Sequence, residues 1–369
     1  MQPDCETTAE RRAPVCSYTE WDPLEEVIVG RADHAWFAAW RVINEHTVGP
    51  GEWSEIEARI GGAGVPYPPA LVQRAQTCVD GFVRLLEAEG VTVRRPDPED
   101  YSRPFSTPDW SVTSGFSAAN PRDPFLVVGE EIIETPMADR SRHYEALAYR
   151  RLFTEYFRQG ARWTAAPKPR LADALYRPSR RPYAPGEPLE FIVSEEEPVF
   201  DAADCVRCGT DLFMQRSNVT NALGILWLQR HLGDRFTVHE VEHRNPEAIH
   251  IDTTFMPLAP GKVLVSPDYM DTKRLPAALS RWDVLVAPEP VPTIGDPLGV
   301  VSKWGSINVL MLDEQRVVVE RRQEPLIARL KDWGFTPIPV DFEAWLPFMG
   351  SLHCSTLDVR RRGTLRSYL

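Results

Sequence analysis

The sequence predicts an α/β fold of five successive modules, each made of one or two strands, a helix and a further strand. Three observations carry this. Apolar segments of helical spacing end at a glycine and are followed at once by a short strand-like run, and this order recurs along the chain. Each such segment is itself preceded by one or two strand-like runs. Proline accounts for 34 of the 369 residues, well above the usual ~5%, which disfavours a helical bundle and suits short elements joined by many turns.

The modules follow in order. Glu26 to Gly30 reads as a strand; Leu71 to Glu89 has helical spacing, Gly90 stops it, and Val91-Thr-Val-Arg94 is a strand. Phe125 to Glu134 reads as strands, Glu145 to Arg158 as a helix stopped at Gly160, and Arg162-Trp-Thr-Ala165 as a strand. Phe200 to Phe213, the helix Asn221 to Leu232, Gly233 and Phe236 to Val241 form the third module. His250 to Val265, a shorter helix Leu275 to Arg281, and Val284-Leu-Val-Ala287 form the fourth. Ser306 to Glu320, the helix Leu326 to Trp333, Gly334 and Thr336 to Val340 form the fifth. A (β/α)₈ barrel needs about eight units, so five blades around an axis fit the count better. The modules share negligible sequence, and the expectation rests on element order.

Composition narrows the function. Hydrophobic residues at 43% can build a sizeable core. A net charge of −12 and a pI near 5.3 disfavour general nucleic-acid binding, which relies on phosphate neutralisation, so no nucleic-acid partner is expected. Apolar runs such as Val309-Leu-Met-Leu312 fall far short of the ~20 residues that span a bilayer, and no membrane association is expected. Met1-Gln-Pro-Asp-Cys-Glu6 has neither a basic nor an apolar leader segment, which points to a cytoplasmic protein. The six cysteines are too few and scattered for a disulfide framework and are expected as reduced thiols.

Several motifs fail on context. His239-Glu-Val-Glu-His243 matches H-E-x-x-H, which binds zinc only on a helix. Here Phe236 to Val241 alternates like a strand and Pro246 follows closely. Cys205-Val-Arg-Cys208 is a single pair in a strand-and-turn segment, without the second pair of a structural zinc site. Gly61-Gly-Ala-Gly64 lacks the flanks of a phosphate loop, and no G-x-S-x-G occurs. No metal site is expected.

Polar residues in otherwise apolar strand-like runs remain. Phe200-Asp-Ala-Ala-Asp204 holds two carboxylates, and in Ile249-His-Ile-Asp-Thr253 the alternation puts His250 and Asp252 on one strand face. Asn120-Pro-Arg-Asp123 precedes an apolar run, and Gly350-Ser-Leu-His-Cys-Ser355 places a cysteine after a glycine turn. A nucleophilic thiol needs a base, an orienting carboxylate and a substrate clamp, and these four segments can supply all of them. Singly, each reads as structure before function: a core cysteine, a capped histidine, carboxylates in turns.

With these residues the sequence resembles the amidinotransferase family. Matching stretches run almost end to end: Glu20-Trp-Asp-Pro-Leu-Glu-Glu-Val-Ile-Val-Gly30, Thr107-Pro-Asp-Trp110, Pro121-Arg-Asp123, Val127 to Met137, Ala166-Pro-Lys-Pro169, Phe200 to Asp204, Gln215-Arg-Ser217, His250-Ile-Asp252, Ser302-Lys-Trp304, Asn308 to Asp313, and His353-Cys354 with Leu357 to Gly363. The resemblance implies a five-bladed, pseudo-symmetric α/β propeller of ββαβ modules, a single catalytic domain over residues 1–369, and a family homodimer. It implies a ping-pong transfer of the amidino group of L-arginine to an amine acceptor through an amidino-cysteine, releasing L-ornithine, with no cofactor. Cys354 matches the nucleophile, His250 the general acid/base and Asp201 the carboxylate that orients it. Asp123 and Asp252 match positions that clamp the guanidinium, Ser302 lies in a matching substrate loop, and His353 reads as structural. Arginine and agmatine deiminases, which use water as acceptor, and a non-catalytic binding protein are the rival classes.

The implied attack needs a thiolate, while a free cysteine titrates near ~8.5; the bound guanidinium's charge could supply the difference. Where glycine-using members carry an arginine for a substrate carboxylate, this sequence has Tyr269, placed in the substrate site. The segments Phe348-Met-Gly-Ser351 and Glu247-Ala-Ile249 differ too. An acceptor other than glycine, larger or not an amino acid, from a specialised biosynthetic pathway, is therefore expected.

Overall fold

The computed structural model describes residues 13–39, 43, 58, 63–177, 187–294 and 302–369; Met1 to Glu6, with Cys5, and Gly61 and Gly62 lie outside them. Strand β1 (Leu24–Val29) is followed by a short ribbon, β2 (Trp36–Phe37) with β3 (Val65–Pro66), then the helix Pro69–Ala88 and β4 (Thr92–Arg94). A second ribbon pairs β5 (Phe105–Ser106) with β6 (Ser111–Val112). Then come β7 (Phe125–Val128), β8 (Glu131–Glu134), the helix Arg150–Arg158 and β9 (Arg162–Ala165). The third set is β10 (Cys205–Cys208), β11 (Asp211–Met214), the helix Ala222–Leu232 and β12 (Thr237–Glu240). The fourth is β13 (Phe255–Ala259), β14 (Lys262–Val265) and β15 (Asp283–Val286). The fifth is β16 (Leu310–Met311), β17 (Arg316–Glu320), the helix Glu324–Asp332 and β18 (Thr336–Val340), and the described chain ends with β19 (Thr356–Arg361).

Among the described residues these strands make five three-stranded sheets of one design. The middle strand pairs antiparallel on one side and parallel on the other, as β8 does with β7 and β9. In four sheets a short turn joins the antiparallel pair, with Gly129, Gly209 and Gly261 in three of the turns. A parallel neighbour cannot be reached by a tight turn, so the chain crosses over through the intervening segment, in four cases a helix. The first sheet is built differently: β1 pairs parallel with β4 but takes its antiparallel partner, β19, from the far end of the sequence.

The stop signals hold. Gly90, Gly160, Gly233 and Gly334, which close the four helices, have φ between 66° and 108°, a region glycine enters without a Cβ clash. Helix Ala222–Leu232 starts where Asn221 caps the Gly224 amide. Helix Pro69–Ala88 buries Leu71, Ala75, Val79, Phe82 and Leu86, a stripe at helical spacing packed with Phe342 and Trp345.

Three expectations need correction. The helix Leu275 to Arg281 reduces to one 3-10 turn, Ala277–Leu279, capped by Pro276; Leu275 is extended, the conformation a residue before proline prefers, and the turn Thr272–Arg274 precedes it. The strand expected from His250 begins only at Phe255, because Ile251–Thr253 forms a 3-10 turn. Cys16 is disulfide-bonded, not a reduced thiol, whereas Cys78, Cys205, Cys208 and Cys354 are free. No helix among the described residues is long and apolar enough to cross a membrane.

Candidate active site

The correction at His250 exposes the device that builds the site. In each sheet the edge strand on the antiparallel side is entered through a single helical turn. Asp123 closes one before β7 through its amide bond to the Asn120 carbonyl (3.2 Å), and Ala202–Asp204 forms one before β10. Ile251–Thr253 precedes β13, Lys303–Ile307 precedes β16, and the Ser355 amide bonds to the Ser351 carbonyl (2.9 Å) before β19. The turns bond to one another: Ala202 N to Asp123 O at 2.7 Å, Arg122 N to Cys354 O at 3.4 Å, His353 N to Asn308 Oδ1 at 2.8 Å. The turns at 202–204, 251–253 and 303–307 also pack in series. Residues distant in sequence thus meet in one place.

Cys354 sits in the middle. Its Sγ, a ring nitrogen of His250 and a carboxylate oxygen of Asp123 lie within 4.8 Å of one another. The thiol donates to Asp252 Oδ2 (3.2 Å), Asn308 Nδ2 donates to the sulfur (3.0 Å), and Asn308 Oδ1 accepts from the Cys354 amide (3.2 Å). Burial, with the Asp252 charge second, pushes the thiol up to about 12, against a hydrogen bond with His250 that lowers it.

His250 lies between two carboxylates. Nε2 is 3.3 Å from Asp201 Oδ2, as the sequence reading expects, and Nδ1 is 3.6 Å from Asp123 Oδ1, so Asp123 faces the histidine as well. Burial lowers the affinity of the ring for its proton, but Asp123, Asp201 and Cys354 outweigh it and raise His250 well above its ordinary range. A protonated imidazole is a ready proton donor and offers no free lone pair to a metal, so the Asp123–His250–Cys354 grouping, although spaced for an ion, suits acid/base work better.

Two further groups lie against this cluster: Arg142, which the sequence reading passes over, and Asp204, the second carboxylate of the Phe200–Asp204 run. Arg142 donates to Asp123 Oδ2 and to Glu145 Oε2, each at 2.8 Å, and fixes that carboxylate. Asp204 accepts from Ser217 and Thr220, both at 2.6 Å, and burial raises it to about 7. Among the described residues, one oxygen each of Asp123, Asp201, Asp204 and Asp252 accepts no hydrogen bond, although all four side chains are buried. Buried acceptor oxygens of this kind suit a planar cation with several N–H donors.

Ser302 and Tyr269 form a pair of their own. The Tyr269 hydroxyl and Ser302 Oγ lie 2.9 Å apart, and Ser302 Oγ accepts from the Trp304 amide, capping the turn that carries Asn308 to the sulfur. Asn308 is, with Arg142, a group sequence reasoning missed: an asparagine before an apolar run reads as a turn former. The H-E-x-x-H and C-x-x-C segments both lie on or beside strands. His239 lies on β12, bonded to Asp211 Oδ1 at 2.7 Å, and His243 bonds to the Arg216 carbonyl. Cys205 and Cys208 are buried on β10.

The cysteine, the flanked histidine and the buried carboxylates make this cluster the candidate active site of an enzyme. No protein-family model matches the chain. It is 46% identical over 357 residues, 97% of each chain, to the L-arginine:L-lysine amidinotransferase of Pseudomonas savastanoi pv. phaseolicola. It is 44% identical to the mitochondrial glycine amidinotransferase of Danio rerio, covering 98% of this chain and 86% of that one. Among solved structures, SxtG, an amidinotransferase of the saxitoxin biosynthetic pathway of Microseira wollei, matches with a TM-score of 0.95 and 56% identity over 96% of this chain and all of that one. The inosamine-phosphate amidinotransferase StrB1 of Streptomyces griseus matches with a TM-score of 0.87 and 40% identity over 97% and 99%. The chain belongs to the amidinotransferase family and is an enzyme of that class. Dimethylarginine dimethylaminohydrolase, 15% identical with a TM-score of 0.56, shares the fold.

Proposed function

We propose that the protein moves the amidino group of L-arginine to an amine acceptor other than glycine, through a covalent amidino-cysteine on Cys354. The observation that carries the reading is the approach of the Cys354 sulfur, a His250 nitrogen and an Asp123 oxygen within 4.8 Å. The guanidinium of arginine lies among Asp123, Asp252 and the other carboxylates, its carbon over the sulfur. Its positive charge offsets Asp252 and lets the thiol ionise in the complex. Sulfur attacks the guanidinium carbon, the C–N bond to the ornithine nitrogen breaks, and His250, held by Asp201, gives that nitrogen its proton. The acceptor amine then attacks the amidino carbon, His250 takes back a proton, and the C–S bond breaks.

The same reading covers the rest of the protein: one catalytic domain over residues 1–369, with the five sheets as blades of an α/β propeller, working in the cytoplasm as a homodimer. Tyr269, hydrogen-bonded to Ser302, stands where a carboxylate-binding arginine would favour glycine. The lysine acceptor in the name of the Pseudomonas relative and the saxitoxin pathway of SxtG support a larger amine from specialised metabolism.

The test is incubation with guanidino-labelled arginine and a panel of amines, including lysine and glycine, with mass spectrometry of protein and products. The expected result is a labelled Cys354 peptide, ornithine, and a new guanidine from an amine other than glycine; Cys354→Ala loses label and turnover by about 10⁴-fold or more. Citrulline and ammonia in place of ornithine would assign the protein to hydrolysis instead. Rapid guanidinoacetate formation would remove the acceptor assignment.

A further inference from the structure

Next to the cysteine lies a second buried histidine that the transfer chemistry leaves unused. His353 Nδ1 is 2.9 Å from Asp252 Oδ2, and Nε2 is 3.2 Å from Glu20 Oε2. Both carboxylates are buried. Burial opposes their ionisation, yet Arg207, the His353 contact and Arg122 hold Glu20 well below the usual range. At Asp252 the His353 hydrogen bond is the leading influence against burial, and that group is lowered too. Each ring nitrogen of His353 thus lies within hydrogen-bond distance of a buried carboxylate oxygen, one on either side of the ring. The oxygen that faces His353, Asp252 Oδ2, is also the one that accepts from the Cys354 thiol.

We propose that His353 is a positioning residue that acts on Cys354 through Asp252. Its ring turns Asp252 Oδ2 toward the sulfur, and its hydrogen bond to that oxygen draws off part of the negative charge the carboxylate sets against a thiolate. Glu20 fixes the far side of the ring and is itself held by Arg207, with Oε1 2.8 Å from Nε, and by Arg122 at 3.6 Å. Asp358 neutralises both arginines, at 2.6 and 2.8 Å. The Arg122 side chain also donates to the His353 carbonyl, and Asn308 accepts the His353 amide, so the ring has fixed backbone on both sides. Asp252 thereby keeps its charge for a cationic substrate without forbidding the charge on sulfur that the reaction needs.

This inference rests on the reading of Cys354 as nucleophile, so its test uses the arginine-free enzyme. Iodoacetamide alkylation at fixed pH is followed on the Cys354 peptide by mass spectrometry, which sets aside the free thiols Cys78, Cys205 and Cys208. His353→Gln should slow alkylation about tenfold, the effect of one pK unit. Asp252→Asn should speed it, and His353→Gln added to Asp252→Asn should slow it no further, the signature of coupling through one carboxylate. In turnover, His353→Gln should lower kcat with less than about a twofold change in KM, since the clamp carboxylate stays in place. Unchanged alkylation, or equal slowing in both backgrounds, overturns the proposal and leaves His353 a packing residue. Glu20→Gln, expected to act in the same direction more weakly, supplies the same cycle if His353→Gln does not fold. Labelling of wild-type Cys354 by arginine is run alongside: its absence would sink the nucleophile reading while the alkylation cycle still decides the role of His353.

Discussion

At Cys354, burial and a neighbouring carboxylate work against the thiolate that the proposed transfer needs. With the thiol pushed up to about 12 in the free enzyme, the ionised fraction rises about tenfold per pH unit throughout the measurable range. Alkylation of the Cys354 peptide should therefore climb without levelling between pH 7 and 10; a plateau near pH 8.5, where an ordinary cysteine titrates, would count against a thiol that waits for its substrate's charge. Asp204 gives the opposite kind of test. Its carboxyl is raised from 3.8 to about 7 by burial, so the native state binds its proton more tightly than the unfolded chain does. The stability it contributes is complete below pH 3.8 and is lost as pH rises through 7. Asp204→Asn cannot titrate and still accepts from Ser217 and Thr220. It should match wild type near pH 4 and exceed it by up to about 4 kcal/mol at pH 8.5 in urea unfolding, three pK units at ~1.4 kcal/mol each. Equal stability at both pH values would show that Asp204 is not strained by burial.

The recurring element is the single turn at the head of an edge strand. Each turn fixes a polar side chain at a strand end, and Asn308 shows how one turn disciplines another: it bonds to the amides of His353 and Cys354 and to the sulfur. Asn308→Ala should leave the sheets intact but lower kcat by about ten- to a hundredfold, the usual penalty for a misplaced reacting group; an unchanged kcat would mean that the cysteine loop holds itself. These turns also mark where the sequence stops being legible. Asp201, His250 and Asp252 stand out because a polar residue interrupts an apolar run, Asp123 because it precedes one and Cys354 because it follows a glycine turn, and the family resemblance supplies the role of each. Asn308 and Arg142 do not stand out, since their importance lies in partners supplied by distant segments. Helices closed by glycine read well because their signal is local. The helix expected at Leu275 shrinks to one 3-10 turn because Pro276 keeps the residue before it extended, and the strand expected at His250 fails because alternation over five residues cannot distinguish a strand from the turn that introduces one.

Across the whole molecule, the first sheet joins the two ends of the described chain, and its interior carries charge. Asp358 on β19 meets Arg122, Arg207 and Arg361 at 2.6–2.8 Å, all four side chains buried. Burial opposes its ionisation, but the three guanidiniums hold it far below the usual range. A depressed native value stabilises the fold above pH ~4 and is lost as pH falls. Asp358→Asn should cost about 3–5 kcal/mol at pH 7, the penalty for stranding a buried partner charge, and should flatten the acid limb of the unfolding profile; an unaltered acid limb would place that sensitivity elsewhere. The pairing of Leu24–Val29 with Thr356–Arg361 has a kinetic consequence. That ladder must close a loop of more than three hundred residues, the slowest kind of contact for a chain to find. The cysteine turn opens directly into the closing strand, so a refolding chain should regain helix and sheet signals first and recover turnover only in its last phase.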